Sequence, residues 1–121
     1  MIQKYVDEYV SLCTKLCQKA EDYTPKNVAQ HNKAMGKLSQ LRQALHADPD
    51  LAKAVYAILL THEDGYVQQS AASECLSLNI HAKESVRVLK HIKRHGDSMS
   101  ATAAKRTLLI WEGKLDPSEA F

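Results

Sequence analysis

The sequence predicts an all-α fold, and three features carry that expectation. Apolar residues recur at steps of three and four through successive segments, which is the signature of one helix face. Thr24-Pro25 and Asp48-Pro49 each set a capping side chain before a proline suited to a first helical turn. No stretch alternates apolar and polar residues with period two. Four Gly and three Pro in 121 residues also leave little punctuation for a many-stranded sheet.

Six helices account for the pattern. Ile2, Val6, Tyr9, Cys13, Leu16 and Ala20 form the inner face of a first helix running to about Glu21. After Thr24-Pro25 comes a second stripe of Val28, His31, Met35, Leu38, Leu41 or Arg42, and Leu45. Gly36 weakens this helix by about 1 kcal/mol relative to Ala, so a packing reason for it is expected. Asp48-Pro49 opens a third helix with Leu51, Ala52, Val55 and Leu59 inward. His62-Glu63-Asp64-Gly65 reads as a tight turn, with Asp64 capping a fourth helix that buries Val67, Ala71, Cys75 and Leu78. The pattern breaks from Asn79 to Ala82, and a fifth helix carries Val86, Leu89 and Ile92. Gly96 is expected to end it in the left-handed conformation that glycine favours after a helix. Ser98 suits a cap for the last helix, where Met99, Ala103, Leu108, Ile110 and Trp111 are available for packing and Gly113 closes. Residues 114–121 read as a tail, with Leu115 as a possible anchor.

Composition sets the class. A chain of 121 residues with 45% hydrophobic and 25% charged residues suits one soluble globular domain. Division within it is expected into an N-terminal helix (1–23), helical repeats (24–113) and the tail. The longest apolar run, Ala54–Leu60, is far short of the roughly 20 residues a membrane span needs. Asp7 and Glu8 fall where a secretion signal would need its apolar stretch. Three cysteines, an odd number, argue against a disulfide framework. Cys13 and Cys17, four apart on one helix face, suit core packing better than metal or redox chemistry. A cytoplasmic location is the expectation.

The second half contains a weak duplication. A shift of 33 places Val55 on Val88, Leu59 on Ile92, His62 on His95 and Asp64 on Asp97. With a shift of 32, Val67 falls on Met99, Ala71 and Ala72 on Ala103 and Ala104, and Leu76 on Leu108. Stacked helix–turn–helix units bury a core that neither unit could bury alone. Asp64-Gly65-Tyr66-Val67-Gln68-Gln69-Ser70-Ala71-Ala72, followed by Leu76, resembles the second helix of a HEAT repeat. There an acid opens the helix, a valine follows, and paired alanines precede a leucine. From about residue 28 to 115 the chain is similar to a family of short bacterial HEAT-like proteins of unknown function. The likeness takes in His31-Asn32, the Leu38/Leu41/Leu45 stripe, Leu59-Leu60 with His62, and Leu109-Ile110-Trp111-Glu112-Gly113. Gln68 departs from it, where arginine is usual, and so does Lys105-Arg106, where small or neutral residues are commoner. The resemblance implies a short right-handed α-solenoid of HEAT-like helical hairpins used for protein contacts. It also implies a role as an immunity protein, since small bacterial helical proteins of this kind are often encoded beside secreted toxins.

Nothing in the sequence forms an enzyme signature. His91 and His95 have metal-like spacing, but no third ligand is placed, and two solvated histidines near a helix C-terminus are favourable in their own right. His62-Glu63-Asp64 coincides with a turn and a cap, and His31 lies on an inner helix edge. No phosphate-binding glycine loop or nucleophile motif is present. No catalysis, metal or cofactor is expected.

Charge is distributed in bands. Residues 1–43 carry a net +3 and residues 44–78 a net −4. Residues 79–114 carry a net +5 and residues 115–121 a net −2, giving the overall +2. The acidic band (Glu63, Asp64 and Glu74, with Tyr66 and Gln69) is the expected partner-binding surface. Carboxylates placed there could block the cationic cleft of a cognate secreted toxin such as a nuclease. The alternative surface is the basic face of Arg87, Lys90 and Arg94, which would suit a small nucleic-acid-binding or regulatory protein. It has no interleaved aromatic residues.

Overall fold

A computed structural model describes residues 2–18, 25–96 and 98–113, apart from the side chains of residues 17, 18, 27, 98 and 99. Among the described residues there are six helices and no strand. They are α1 (Ile2–Gln18), α2 (Pro25–His46), α3 (Pro49–Leu59), α4 (Gly65–Leu78), α5 (Ala82–His95) and α6 (Ser98–Trp111). The chain divides into two compact units, Met1–Val55 and Tyr56–Phe121, with the boundary inside α3. The expectations for Ala20, Thr24, Asp97 and Leu115 fall outside the described residues. So do those for the side chains of Cys17, Ser98 and Met99.

In the first unit α1 packs on α2. Val6, Tyr9, Leu12, Cys13 and Leu16 are buried on α1, and Ala34, Leu38, Leu41 and Leu45 on α2. Tyr9 is fully enclosed. Its hydroxyl accepts a long 3.4 Å hydrogen bond from Arg42 Nε, and the guanidinium lies 6.0 Å from the ring centre. The inner face of α2 differs from the expected one. Val28 and Met35 are 42% and 44% exposed, whereas Ala34 is buried. Stepping back from Leu45 through Leu41 and Leu38 in helical intervals reaches Ala34, and Met35 is rotated about 100° from it. Gly36 has no packing reason either. A Cβ added there would meet nothing within 4 Å.

At the start of α3, Asp48 caps as the sequence suggests, its Oδ1 accepting from the Leu51 N–H at 3.2 Å. Ala52, Val55, Tyr56 and Leu59 are all buried along this helix.

In the second unit α5 packs against both α4 and α6, and α4 also meets α6. Helix α4 is enclosed around most of its circumference, burying Val67, Ser70, Ala71, Ala72, Cys75 and Leu76. Four of these are small, which lets neighbouring helices approach closely. Asn79 ends α4 in the left-handed region (φ 57°). Its N–H bonds Leu76 O at 3.2 Å, and the Ile80 N–H bonds Cys75 O at 2.9 Å. This pair of bonds is the Schellman arrangement, with Asn in the place glycine usually takes. Gly96 departs from expectation. Its backbone is extended (φ −76°, ψ 171°), so left-handed freedom is not what it supplies. A Cβ there would stand 2.7 Å from Ile92 O and 2.9 Å from Ile92 Cγ2, so glycine is required by close approach. Gly113 does take a positive φ, 75°, just after α6.

Burial partly follows the duplication. Leu59 and Ile92, Ala72 and Ala104, and Leu76 and Leu108 are buried in both members of each pair. Val88 and Ala103 are half-buried, unlike their counterparts Val55 and Ala71.

Candidate functional site

The acidic turn is built largely from bonds to its own backbone. His62 Nδ1 accepts from the Asp64 N–H at 3.0 Å, and Asp64 Oδ1 accepts from the Tyr66 N–H at 2.8 Å. Asp64 thereby satisfies one of the amides that a helix N-terminus leaves without a partner. His62 is held as an acceptor, which orders the turn. Glu63 between them is exposed.

Along α4, Tyr66, Gln69 and Ser73 share one face at helical spacing, and all three are half-buried. Gln69 Nε2 donates to Ser73 Oγ at 3.0 Å, and Ser73 Oγ lies 3.1 Å from Thr107 Oγ1 of α6. Each hydroxyl also reaches a carbonyl one turn back, Gln69 O and Ala103 O. Gln69 is therefore part of a polar seam between α4 and α6. Glu74 is half-buried on the flank of the same helix. The five acidic-band residues thus divide. Glu63 is exposed, Tyr66 and Glu74 are half-buried, and Asp64 and Gln69 have bonds that build the turn and the seam.

The basic face is also mixed. Arg87, Lys90 and Arg94 are exposed on α5, but Arg87 is ion-paired with Glu84 one turn back. The His91 and His95 rings sit 4.9 Å apart, tilted at 46°. Among the described residues no three His, Cys, Asp or Glu side chains gather as a metal site would require. A cleft of about 300 Å³ lies beside this helix, lined by Leu60, Thr61, Gln68, Arg87 and His91. Gln68 is anchored there, its Nε2 donating to Leu60 O at 3.1 Å.

Cys75 is completely buried. Burial pushes its thiol up to about 11, the neighbouring Ser85 hydroxyl opposes the rise in part, and the Glu74 charge adds to it. A thiol held this way stays protonated at neutral pH and is a poor nucleophile.

One feature escaped the sequence reading. A groove of about 220 Å³ in the first unit is lined by the buried Leu12 and Ala34 and by Lys15, His31, Lys33 and Lys37. The three lysines are exposed, and none is ion-paired with a described residue. The signal was present in the chain, because residues 25–46 contain no Asp or Glu at all. Averaging charge over residues 1–43 mixed that acid-free stretch with Asp7, Glu8, Glu21 and Asp22, and so concealed it.

None of the helices described is long and apolar enough to cross a membrane. Comparison of the chain with protein-family models, with curated proteins and with solved structures returns no match.

Proposed function

We propose that this chain is a non-enzymatic, cytoplasmic protein-binding module, a short right-handed α-solenoid of HEAT-like hairpins. Its most concrete role is that of an immunity protein neutralising a cognate secreted toxin with a cationic active cleft. The observation that carries this reading is the surface around the start of α4. Glu63 stands exposed beside half-exposed Tyr66, with Glu74 farther along the helix. Tyrosine is enriched among interface hot spots, and carboxylates on the same surface complement a cationic partner. The matching burial of Leu59 with Ile92, Ala72 with Ala104 and Leu76 with Leu108 supports the helical-repeat half of the reading. Recognition of nucleic acid through α5 is the weaker alternative, because Glu84 already offsets the charge of Arg87.

The test begins with the genes beside this one. A neighbouring toxin domain is expected, and co-expressing this chain should restore growth to cells producing it. Glu63→Lys with Glu74→Lys should slow binding and flatten its salt dependence, with the melting temperature nearly unchanged. A His91→Ala, His95→Ala variant should protect fully. The proposal fails if no toxin is encoded nearby. It also fails if reversing Arg87, Lys90 and Arg94 abolishes protection while the acidic reversals do nothing.

A further inference from the structure

Helix α2 is 22 residues long and carries Lys26, Lys33, Lys37 and Arg42 with no acidic side chain. Lys26, Gln30, Lys33 and Lys37 follow one another at steps of four, three and four, so they form one stripe along about 16 Å of helix. All four are exposed. Lys26 sits in the first turn, where the positive end of the helix dipole already lies, so the two potentials add rather than cancel. Lys33 and Lys37, one turn apart, repel each other. Across the groove Lys15 of α1 contributes a third ammonium, and His31 and Gln30 add hydrogen-bonding groups.

The geometry points to an anion site in the α1–α2 groove that takes a chain of linked phosphates. This goes beyond the protein-binding reading and uses none of its residues. Cations gathered between low-dielectric helix walls focus the field on the groove, and no carboxylate among the described lining residues offsets it. Lysine ammonium groups suit phosphate oxygens as compact point charges with three donors each. Apart from the His31 imidazole, the described lining holds no ring on which a base could stack, and it holds no acidic acceptor for a base amine. The groove therefore reads charge and spacing, not base identity. A phosphodiester backbone and an inorganic polyphosphate both present that chemistry.

Two probes separate the sources: inorganic tripolyphosphate by calorimetry, and a fluorescein-labelled oligothymidylate of about 16 nucleotides by anisotropy, on the full chain. Binding of either at about 50 mM salt, weakening steeply by about 200 mM, is the expected result. Lys33→Gln with Lys37→Gln should weaken it about tenfold and reduce the salt slope by about 1 to 2. Lys15→Gln should weaken it further. Lys90→Gln with Arg94→Gln on α5 should leave it unchanged, with circular dichroism alike for every variant. Binding of oligothymidylate alone assigns the site to nucleic acid, and of tripolyphosphate to polyphosphate. The proposal is overturned if neither probe binds, if the α2 variants bind as the parent does, or if the α5 variant weakens binding as much as they do.

Discussion

Around α4, in Tyr56–Phe121, polar side chains are drawn into the fold, while Lys90 and Arg94 stay exposed on α5. His62 and Asp64 order a turn and cap α4, Gln68 anchors on Leu60 O, Gln69 bonds Ser73, which reaches Thr107 of α6, and Arg87 pairs with Glu84. In Met1–Val55 the balance is different. Lys15, Lys33 and Lys37 stand without ion-pair partners among the described residues, and Val28 and Met35 on the other side of α2 are exposed. The contrast teaches how to weigh residues whose type suggests chemistry. A histidine or carboxylate that completes a turn already has a physical reason to be there. Neighbouring cations that only repel one another have no such structural reason.

The largest effect that could break this comparison lies in the core of the second unit. Leu59 is completely buried, so Leu59→Ala should cost roughly 2–5 kcal/mol in urea unfolding. Met35→Ala, at an exposed site of the first unit, should change stability by less than about 0.5 kcal/mol. Equal losses would mean that the inner face of α2 is misassigned. Next comes Gly96→Ala, where the added Cβ meets Ile92 O and Cγ2 and should cost about 1–3 kcal/mol. The opposite sign is expected at Gly36, where a Cβ has open space. Gly36→Ala should stabilise by about 0.4–1 kcal/mol, read from the shift in urea midpoint.

Cys75 gives a pH-dependent test of how tightly the second unit is closed. Its folded pKa, about 11, lies above the ordinary 9.0, so the folded state holds the proton more firmly than the unfolded chain. That contribution is fully present below pH 9 and is lost as pH rises towards 11. Stability should therefore fall across that window, and Cys75→Ala should flatten the fall. Reaction of Cys75 with a thiol reagent near pH 8 should track global unfolding. Rapid reaction in the folded protein would contradict the burial.

Much of the fold was legible because helix signals are local. Proline after Asp48, the cap at Asp64 and the break at Asn79 mark helix ends without reference to any neighbour. The misses came where a second helix decides. Met35 is the larger hydrophobe, yet Ala34 is buried, because the orientation of α2 against α1 selects the inner position. Gly96 invited a conformational explanation, whereas the close approach of Ile92 is visible only in three dimensions. For the candidate sites, charge located the acidic band and the turn pattern gave the Asp64 cap, but neither could show that Gln69 bonds Ser73 beneath that surface. The cationic groove was legible only at the scale of one helix.

The smallest effect is the most direct test of the contrast. If Lys33 and Lys37 serve no structural purpose, the fold bears a cost for holding two like charges one turn apart. Lys33→Gln with Lys37→Gln, at nearly equal helix propensity, should then raise the unfolding free energy by about 0.2–0.5 kcal/mol at low salt, and the gain should shrink as salt is added. A loss of more than about 1 kcal/mol would contradict the account, because the lysines would then be holding the first unit together.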